Sequence, residues 1–253
     1  MDDQKIIEYI VQGMIYYAEF LASPPHMEHY YDGMCAWLTP KEGADGASLV
    51  YKVKFGDKSD DEIRRIISGY RERGVPDEWR LTPFSTPLHI RGLLADIGIH
   101  VSGEACGGMA LPPEKMNISL WEDNHSSILV RKVNSRKDFF TWACFVNNVL
   151  FEYPILDPEQ YYPLFTEGKI GCFTGYIEDE PAAVSAILND NGNASLEFIA
   201  TKPEHRRKGM GTAVCRAAIK QLLSDGAYCI SLRATPEGIF LYKSLGFIKY
   251  FDF

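Results

Sequence analysis

Hydrophobic and polar positions follow two periods along this chain, one helical and one strand-like. Apolar side chains recur three and four positions apart from Ile6 to Leu21, which predicts a helix that ends at Ser23-Pro24-Pro25. Short apolar runs bounded by turn residues predict strands. The first half is predicted to form a helix over 4–21, strands over 34–38 and 48–55, a helix over 60–73 capped by Ser59 or Asp60, a strand over 79–81 and a helix from Ser85 or Thr86 to Asp96.

The pattern restarts after Cys106-Gly107-Gly108 and Pro112-Pro113, whose glycines and prolines are typical of a linker. The predicted elements that follow are a strand over 126–133, a helix from Ser135 or Asp138 to about 151, a short helix over 158–165, a hairpin of 172–178 with 182–188, a strand over 196–201, a helix over 211–223, a strand over 227–233, a helix over 236–245 and a strand over 247–253. Strands and helices mixed in this order predict an α+β or α/β layered architecture. The break predicts two domains, residues 1–114 and 115–253.

Composition narrows the function classes only slightly. The 253 residues are 46% apolar and 24% charged, which is ordinary for a soluble globular protein. The formal net charge of −8 argues against nucleic acid as the main partner and would suit a cationic substrate. The start Met1-Asp2-Asp3 is acidic where a signal peptide would be basic, and no apolar run is long enough to span a bilayer. With six cysteines and no CxxC pair, a cytoplasmic protein with free thiols and no membrane partner is expected.

One segment is far more informative than the rest. The apolar run 196–201 stops before Pro203, a basic turn with two glycines follows, and a predicted helix begins at Gly211. We call residues 206–212 the glycine turn. Unpaired N–H groups and the dipole at a helix start favour an anion, and glycines allow close approach of a phosphate. The glycine turn therefore predicts a diphosphate site, unless it is only a helix start without a ligand.

Three elements together resemble the GNAT superfamily of acyl-CoA-dependent N-acyltransferases. They are the Arg-x-x-Gly-x-Gly sequence from Arg206 to Gly211, Glu197 on the preceding strand, and Tyr242 in the run Tyr-Lys-Ser-Leu-Gly-Phe. The resemblance covers about residues 126–253 and implies the GNAT fold, a mixed and mostly antiparallel sheet flanked by helices. Residues 74–79, 97–99 and 108–111 are loosely similar to the degenerate N-terminal module of tandem-type GNAT proteins.

The resemblance also implies a site and a reaction. Acetyl-CoA would be the co-substrate, without a metal, and its acetyl group would pass directly to a primary amine of a small molecule or a protein. Glu197 would be the base and Tyr242 the acid, since a tyrosine with its ordinary pKa near 10 is protonated at neutral pH. The residues implied in cofactor binding are Ile199, Ala200, Thr201, Arg206, Arg207, Lys208, Gly209, Met210, Gly211 and Thr212. Thr201 and Arg207 depart from the family pattern, which usually has an apolar residue and a glycine there.

Other interpretations stay open at this point. Glu197 could be an ion-paired or solvent-facing strand residue, and Tyr242 could pack without a chemical role. The whole chain could be a non-catalytic acyl-CoA-binding or regulatory module, or residues 1–114 could be an interaction module that brings a partner to the second domain. The sequence identifies neither the amine acceptor nor the oligomeric state.

Overall fold

The chain forms two compact units. The computed structural model describes residues 1–103, 106–116, 128–151, 153–190 and 192–253. Unit one consists of Met1–Met14 with Gly107–Tyr250, and unit two of Ile15–Cys106 with Phe251–Phe253. The first helix, α1 (Asp3–Ala22), has residues in both units and matches the predicted helix. The predicted division into 1–114 and 115–253 stays a prediction.

Unit two is built on a five-stranded sheet whose strands follow one another in chain order. The strands are β1 (Met27–Tyr31), β2 (Ala36–Pro40), β3 (Leu49–Tyr51), β4 (Glu78–Trp79) and β5 (His100–Val101). The pairs β1–β2 and β2–β3 are antiparallel, while β3–β4 and β4–β5 are parallel. The helices α2 (Asp60–Glu72) and α3 (Ile90–Asp96) provide the crossovers that the parallel pairs need.

Local chemistry explains where the helices of unit two begin. Ser59 caps α2 as predicted: its hydroxyl accepts from the Glu62 N–H, and the Glu62 carboxylate accepts in return from the Ser59 N–H. The prediction that α3 begins at Ser85 or Thr86 is wrong. The Thr86 N–H donates to Val53 O (3.2 Å) and the Phe55 N–H to Thr86 O (3.0 Å), so this segment is extended and the helix begins later.

Unit one contains a seven-stranded sheet in the order β12-β6-β11-β10-β9-β8-β7. Its strands are β6 (Gly107–Leu111), β7 (Leu129–Lys132), β8 (Gly171–Ile177), β9 (Glu180–Asp190), β10 (Asn193–Thr201), β11 (Ile230–Ala234) and β12 (Ile248–Asp252). The pair β10–β11 is parallel, and β7–β8, β8–β9, β9–β10 and β6–β11 are antiparallel. The helices are α4 (Arg136–Val146), α5 (Pro158–Thr166), α6 (Met210–Ser224) and α7 (Ile239–Ser244), and one π-helical turn covers Asn147–Phe151.

These elements confirm the predicted fold class, a mixed and mostly antiparallel sheet with helices packed against it. The helix α6 buries an apolar stripe that includes Cys215, Ala218 and Leu222 in the main core of unit one. The hairpin of β8 and β9 turns through Glu178 and Asp179, both with positive φ, as a two-residue loop of type I′ requires. Among the described residues, no helix is both long and apolar enough to cross a bilayer.

The strand β6 corrects the predicted linker. Gly107–Leu111 is buried throughout and pairs with β11, so these residues complete the sheet rather than connect two domains. A Cβ at Gly107 would lie 2.8 Å from the Lys249 side chain on β12, so a larger residue there would displace that side chain. The strand predicted over 126–133 is observed as β7, and residues 126 and 127 lie outside the described residues.

Candidate active site

The two central strands of the seven-stranded sheet separate along their length. The strands β10 and β11 pair over two residue pairs, Ala194 with Ile230 and Ser195 with Ser231. Both strands then continue, β10 as far as Thr201, without a further pair between them among the described residues. We call this arrangement the fork, closed at Ser195–Ser231 and open beyond it. Backbone groups of β10 that do not pair with β9 therefore face the opening of the fork.

A β-bulge lies in β10 beside the fork. The register with β9 shifts between Glu197 and Ala200, so that Phe198 and Ile199 stand opposite one residue, Ser185. Phe198 has a φ of 52°, in the left-handed region that residues with a side chain rarely adopt. A bulge of this kind bends its strand and changes the direction of the following backbone groups. The strained residue therefore directly follows the predicted base.

Buried aromatic side chains hold the bulge in place. The Trp142 indole N–H donates to Ser185 O (3.1 Å), the carbonyl opposite the bulge. The Phe198 ring packs edge-on against Trp142, with centroids 5.6 Å apart, and against Phe151 of the π-helical turn at 6.3 Å. Trp142 is fully buried and Phe198 is 3% exposed. Packing and one buried hydrogen bond thus offset the backbone strain.

The glycine turn follows β10 through a short 3₁₀ helix, Pro203–His205. The Arg206 side chain donates from Nε to Thr201 O (3.2 Å), which orients its guanidinium at the end of β10. Arg207 has a φ of 62°, so its backbone adopts the conformation for which the family pattern usually has glycine. Gly209, with a φ of 82°, is the residue before α6.

The start of α6 presents backbone donors and positive charge. Among the described residues, no side chain caps this helix at Gly209. The first N–H groups of a helix have no acceptor within it. The side chains of Arg206, Arg207 and Lys208 are exposed. An exposed helix N-terminus with adjacent cations fits a phosphate-bearing ligand.

Two residues of the glycine turn contribute to the packing of α6. The Met210 side chain is 1% exposed and packs with Ala183 and Val214, so only its backbone can face a ligand. A Cβ on Gly211 would lie 2.9 Å from Leu241 Cδ1 of α7 and 3.4 Å from Thr201 Oγ1. Gly211 therefore permits the close contact of α6 with α7.

The predicted acid is buried and the predicted base is half-buried. Tyr242, on α7, is 7% exposed, and its pKa is raised well above 10 by burial and further by electrostatic interaction with Cys215 and Glu197. Glu197 is half-buried on β10. Cys215 is fully buried, and burial raises the pKa of its thiol to about 12, so it is a poor nucleophile. Ile199 packs against the core and Ala200 is buried, which leaves their backbones for binding.

Sequence reasoning did not identify Trp142, Ser185 or Phe198 as parts of the site. The positive φ of Phe198 leaves no periodic pattern in the sequence. The hydrogen bond from Trp142 to Ser185 O joins residues that only the fold brings together. Among the residues that the structure describes, no group of three His, Cys, Asp or Glu side chains could hold a metal ion.

The segment 134–247, which contains every predicted site residue, matches the model of the acetyltransferase (GNAT) family. This match supports acetyl-transfer chemistry in this part of the chain. The match covers slightly less than half of the chain and includes neither α1 nor β6.

Solved structures resemble the fold over more of the chain than the family match covers. A GCN5-related N-acetyltransferase from Kribbella flavida is 14% identical, covers 94% of this chain and 91% of its own, and has a TM-score of 0.65. A conserved protein of unknown function from Staphylococcus epidermidis is 10% identical over 94% and 95%, with a TM-score of 0.58. A Drosophila protein is 12% identical over 98% and 94%, with a TM-score of 0.55. At these identities the likeness concerns the fold alone, and no curated protein matches the chain.

The resemblance of residues 1–114 to a degenerate GNAT module stays a prediction. The neighbours cover most of the chain, but the family match does not extend into this part.

Proposed function

We propose that unit one is an acetyl-CoA-dependent N-acetyltransferase that transfers an acetyl group directly to a primary amine of a small molecule or a protein. One observation carries the proposal: the fork opens beside the start of α6, with Glu197 on β10 and Tyr242 buried in the core to which both fork strands contribute. The GNAT family match over the same residues supports it.

The glycine turn fits the diphosphate of CoA. The N–H groups at the start of α6 and the exposed cations Arg206, Arg207 and Lys208 would hold it. The backbone of β10 around Ile199 and Thr201 would pair with the pantetheine arm as an added strand does. Bound acetyl-CoA would supply the acetyl thioester. A backbone N–H beyond the bulge can polarise a carbonyl placed in the fork.

Two side chains would move the protons. An amine is protonated at neutral pH, and Glu197 would take its proton, directly or through water. Tyr242 would give a proton to the departing thiolate. Burial keeps its hydroxyl protonated, and the same dry surroundings destabilise a thiolate, which favours proton transfer to it.

The proposal is tested by titrating acetyl-CoA into the full chain by calorimetry and then measuring thiol release with a panel of primary amines and peptides. We expect binding in the micromolar range and release with at least one amine. Glu197→Gln should lower kcat by about 10²-fold or more with little change in acetyl-CoA affinity.

Glu167→Gln is the matched control, because Glu167 is an exposed glutamate at the end of α5. This variant should behave as the wild type. Binding without thiol release from any amine would support a non-catalytic acyl-CoA-binding module, and absence of binding would refute both interpretations.

A further inference from the structure

A side chain from the start of the sequence lies at the closed end of the fork. Tyr9 of α1 is 8% exposed, and its hydroxyl oxygen is 2.8 Å from Cys229 O and 2.6 Å from the Ala194 N–H, within hydrogen-bond reach of Gly192 O as well. All of these groups belong to unit one. The Tyr9 ring also meets the Tyr228 ring edge-on, with centroids 5.6 Å apart.

The hydroxyl links the backbones of both fork strands. It has one proton, so it donates to one of the two carbonyls while it accepts from the Ala194 N–H. Cys229 directly precedes β11, and Ala194 forms the first β10–β11 pair with Ile230. Tyr9 therefore fixes the separation of the two strands where their pairing begins.

Close packing one helical turn later brings α1 against the same place. A Cβ on Gly13 would lie 2.6 Å from Ser231 Oγ and 3.7 Å from Ser195 Cβ. Ser195 and Ser231 form the last residue pair before the fork opens. The Tyr9 hydroxyl thus bonds α1 to the fork strands at their closed end, and the lack of a side chain at Gly13 lets the helix lie close to them.

We propose that Tyr9 is a positioning residue: through α1 it sets the geometry of the fork, and hence of the groove that would receive acetyl-CoA. This inference rests on the proposed function. Tyr9 lies outside the segment that matches the GNAT family, so the chain supplies this support from its N-terminal helix. A change in the distance between β10 and β11 at the closed end would also change their separation at the open end, where the ligand would bind.

The first test replaces Tyr9 by Phe, which removes the hydroxyl and keeps the ring contact. Hydrogen exchange of peptides that cover β10 and β11, measured without any ligand, should become at least tenfold faster, because buried backbone groups lose their partner. The dissociation constant and the KM for acetyl-CoA should rise about tenfold, and kcat for a productive amine should fall less. Tyr228→Phe alters the ring that Tyr9 contacts, on an exposed residue. It should change neither the hydrogen exchange of β10 and β11 nor the affinity for acetyl-CoA.

The second test keeps the Tyr9 hydroxyl and serves if Tyr9→Phe does not fold. Gly13→Ala should weaken acetyl-CoA binding, because the added methyl group would meet Ser231 Oγ. Ser231→Ala removes that oxygen, so the Gly13→Ala/Ser231→Ala double variant should recover the affinity of Ser231→Ala alone. Failure of this rescue would overturn the inference.

The outcomes separate the two proposals. A Tyr9→Phe variant with unchanged acetyl-CoA affinity would overturn the positioning role, whether or not its exchange is faster. A wild-type protein that binds no acetyl-CoA would refute the proposed function, and the positioning role for that ligand with it. Weaker binding together with faster exchange in the fork supports the inference.

Discussion

Replacement of Trp142 by Phe tests whether the β-bulge matters for both stability and activity. The change removes the indole N–H that donates to Ser185 O (3.1 Å) and part of the surface on which Phe198 packs. Trp142 and Ser185 are both buried, so water does not readily replace the lost indole donor. The left-handed backbone at Phe198 then loses its main support.

The expected loss of stability follows from two contributions. A buried carbonyl left without its donor costs about 1–3 kcal/mol. The smaller ring leaves a cavity of about 40 Å³, which costs about 1 kcal/mol more. Trp142→Phe should therefore lower the free energy of unfolding by about 2–4 kcal/mol. It should also lower kcat by roughly 10–100-fold, because relaxation of the bulge shifts Glu197 and the adjacent N–H groups.

Urea denaturation followed by circular dichroism and a thiol-release assay measure the two effects. Phe139→Leu is the matched control, since Phe139 is 1% exposed and stacks on Trp142 at 5.9 Å without any hydrogen bond of its side chain. It should cost about 1 kcal/mol and leave kcat within about twofold. If Trp142→Phe is no more damaging than Phe139→Leu, the indole does not hold the bulge.

Four further predictions concern the rest of unit one. Tyr242→Phe should lower kcat by about 10²-fold or more and change acetyl-CoA affinity by less than about twofold; unchanged turnover would exclude Tyr242 as the acid. Gly209→Ala should weaken acetyl-CoA binding through strain at a φ of 82°, in calorimetry, whereas Gly211→Ala should mainly lower the melting temperature by displacing the side chain 2.9 Å away on α7. Burial raises the pKa of Cys215 from 9.0 to about 12, so between these values the unfolded chain loses a proton that the folded protein keeps, and stability falls as pH rises. Urea midpoints measured at pH 8, 9.5 and 11 should fall with pH, and they should fall less steeply in Cys215→Ala. An equally steep fall in both proteins would contradict the prediction. In the native protein at pH 8 a thiol reagent should modify the exposed Cys144 and leave Cys215 unmodified until the chain unfolds.

Local signals allowed several elements to be predicted from the sequence. The capping box of Ser59 and Glu62 fixes the start of α2 within a few residues. The glycine turn predicts the start of α6 because the positive φ of Gly209 and the exposed N–H groups depend on neighbouring residues alone. Such features need no information about distant parts of the chain.

Features that depend on distant partners could not be predicted. Gly107 and Gly108 are typical of a loop, yet they lie in a fully buried strand because β11 and β12 flank it. The edge strand β1 was missed, since its side chains from His29 to Tyr31 are exposed and show no alternation. Gly211 was expected to face a phosphate, but the nearest atoms to its missing side chain belong to Leu241 and Thr201.

The site itself was predicted only in part. The sequence pointed to Glu197 and Tyr242 through a family resemblance. The structure places them on β10 and α7, and their roles stay predictions. The bulge could not be foreseen, because it depends on an indole that reaches a carbonyl 43 positions further along the chain.

The helix α1 also determines the order in which unit one can be built during synthesis. Tyr9 and Cys229 are 220 positions apart, an interval of about 10–40 s at roughly 5–20 residues per second. The strand β6 likewise cannot pair with β11 until β11 has been synthesised. Ile6 and Ile10 of the same helix are buried in the finished protein. Unit one therefore closes only when the chain is nearly complete, long after its first helix has been synthesised.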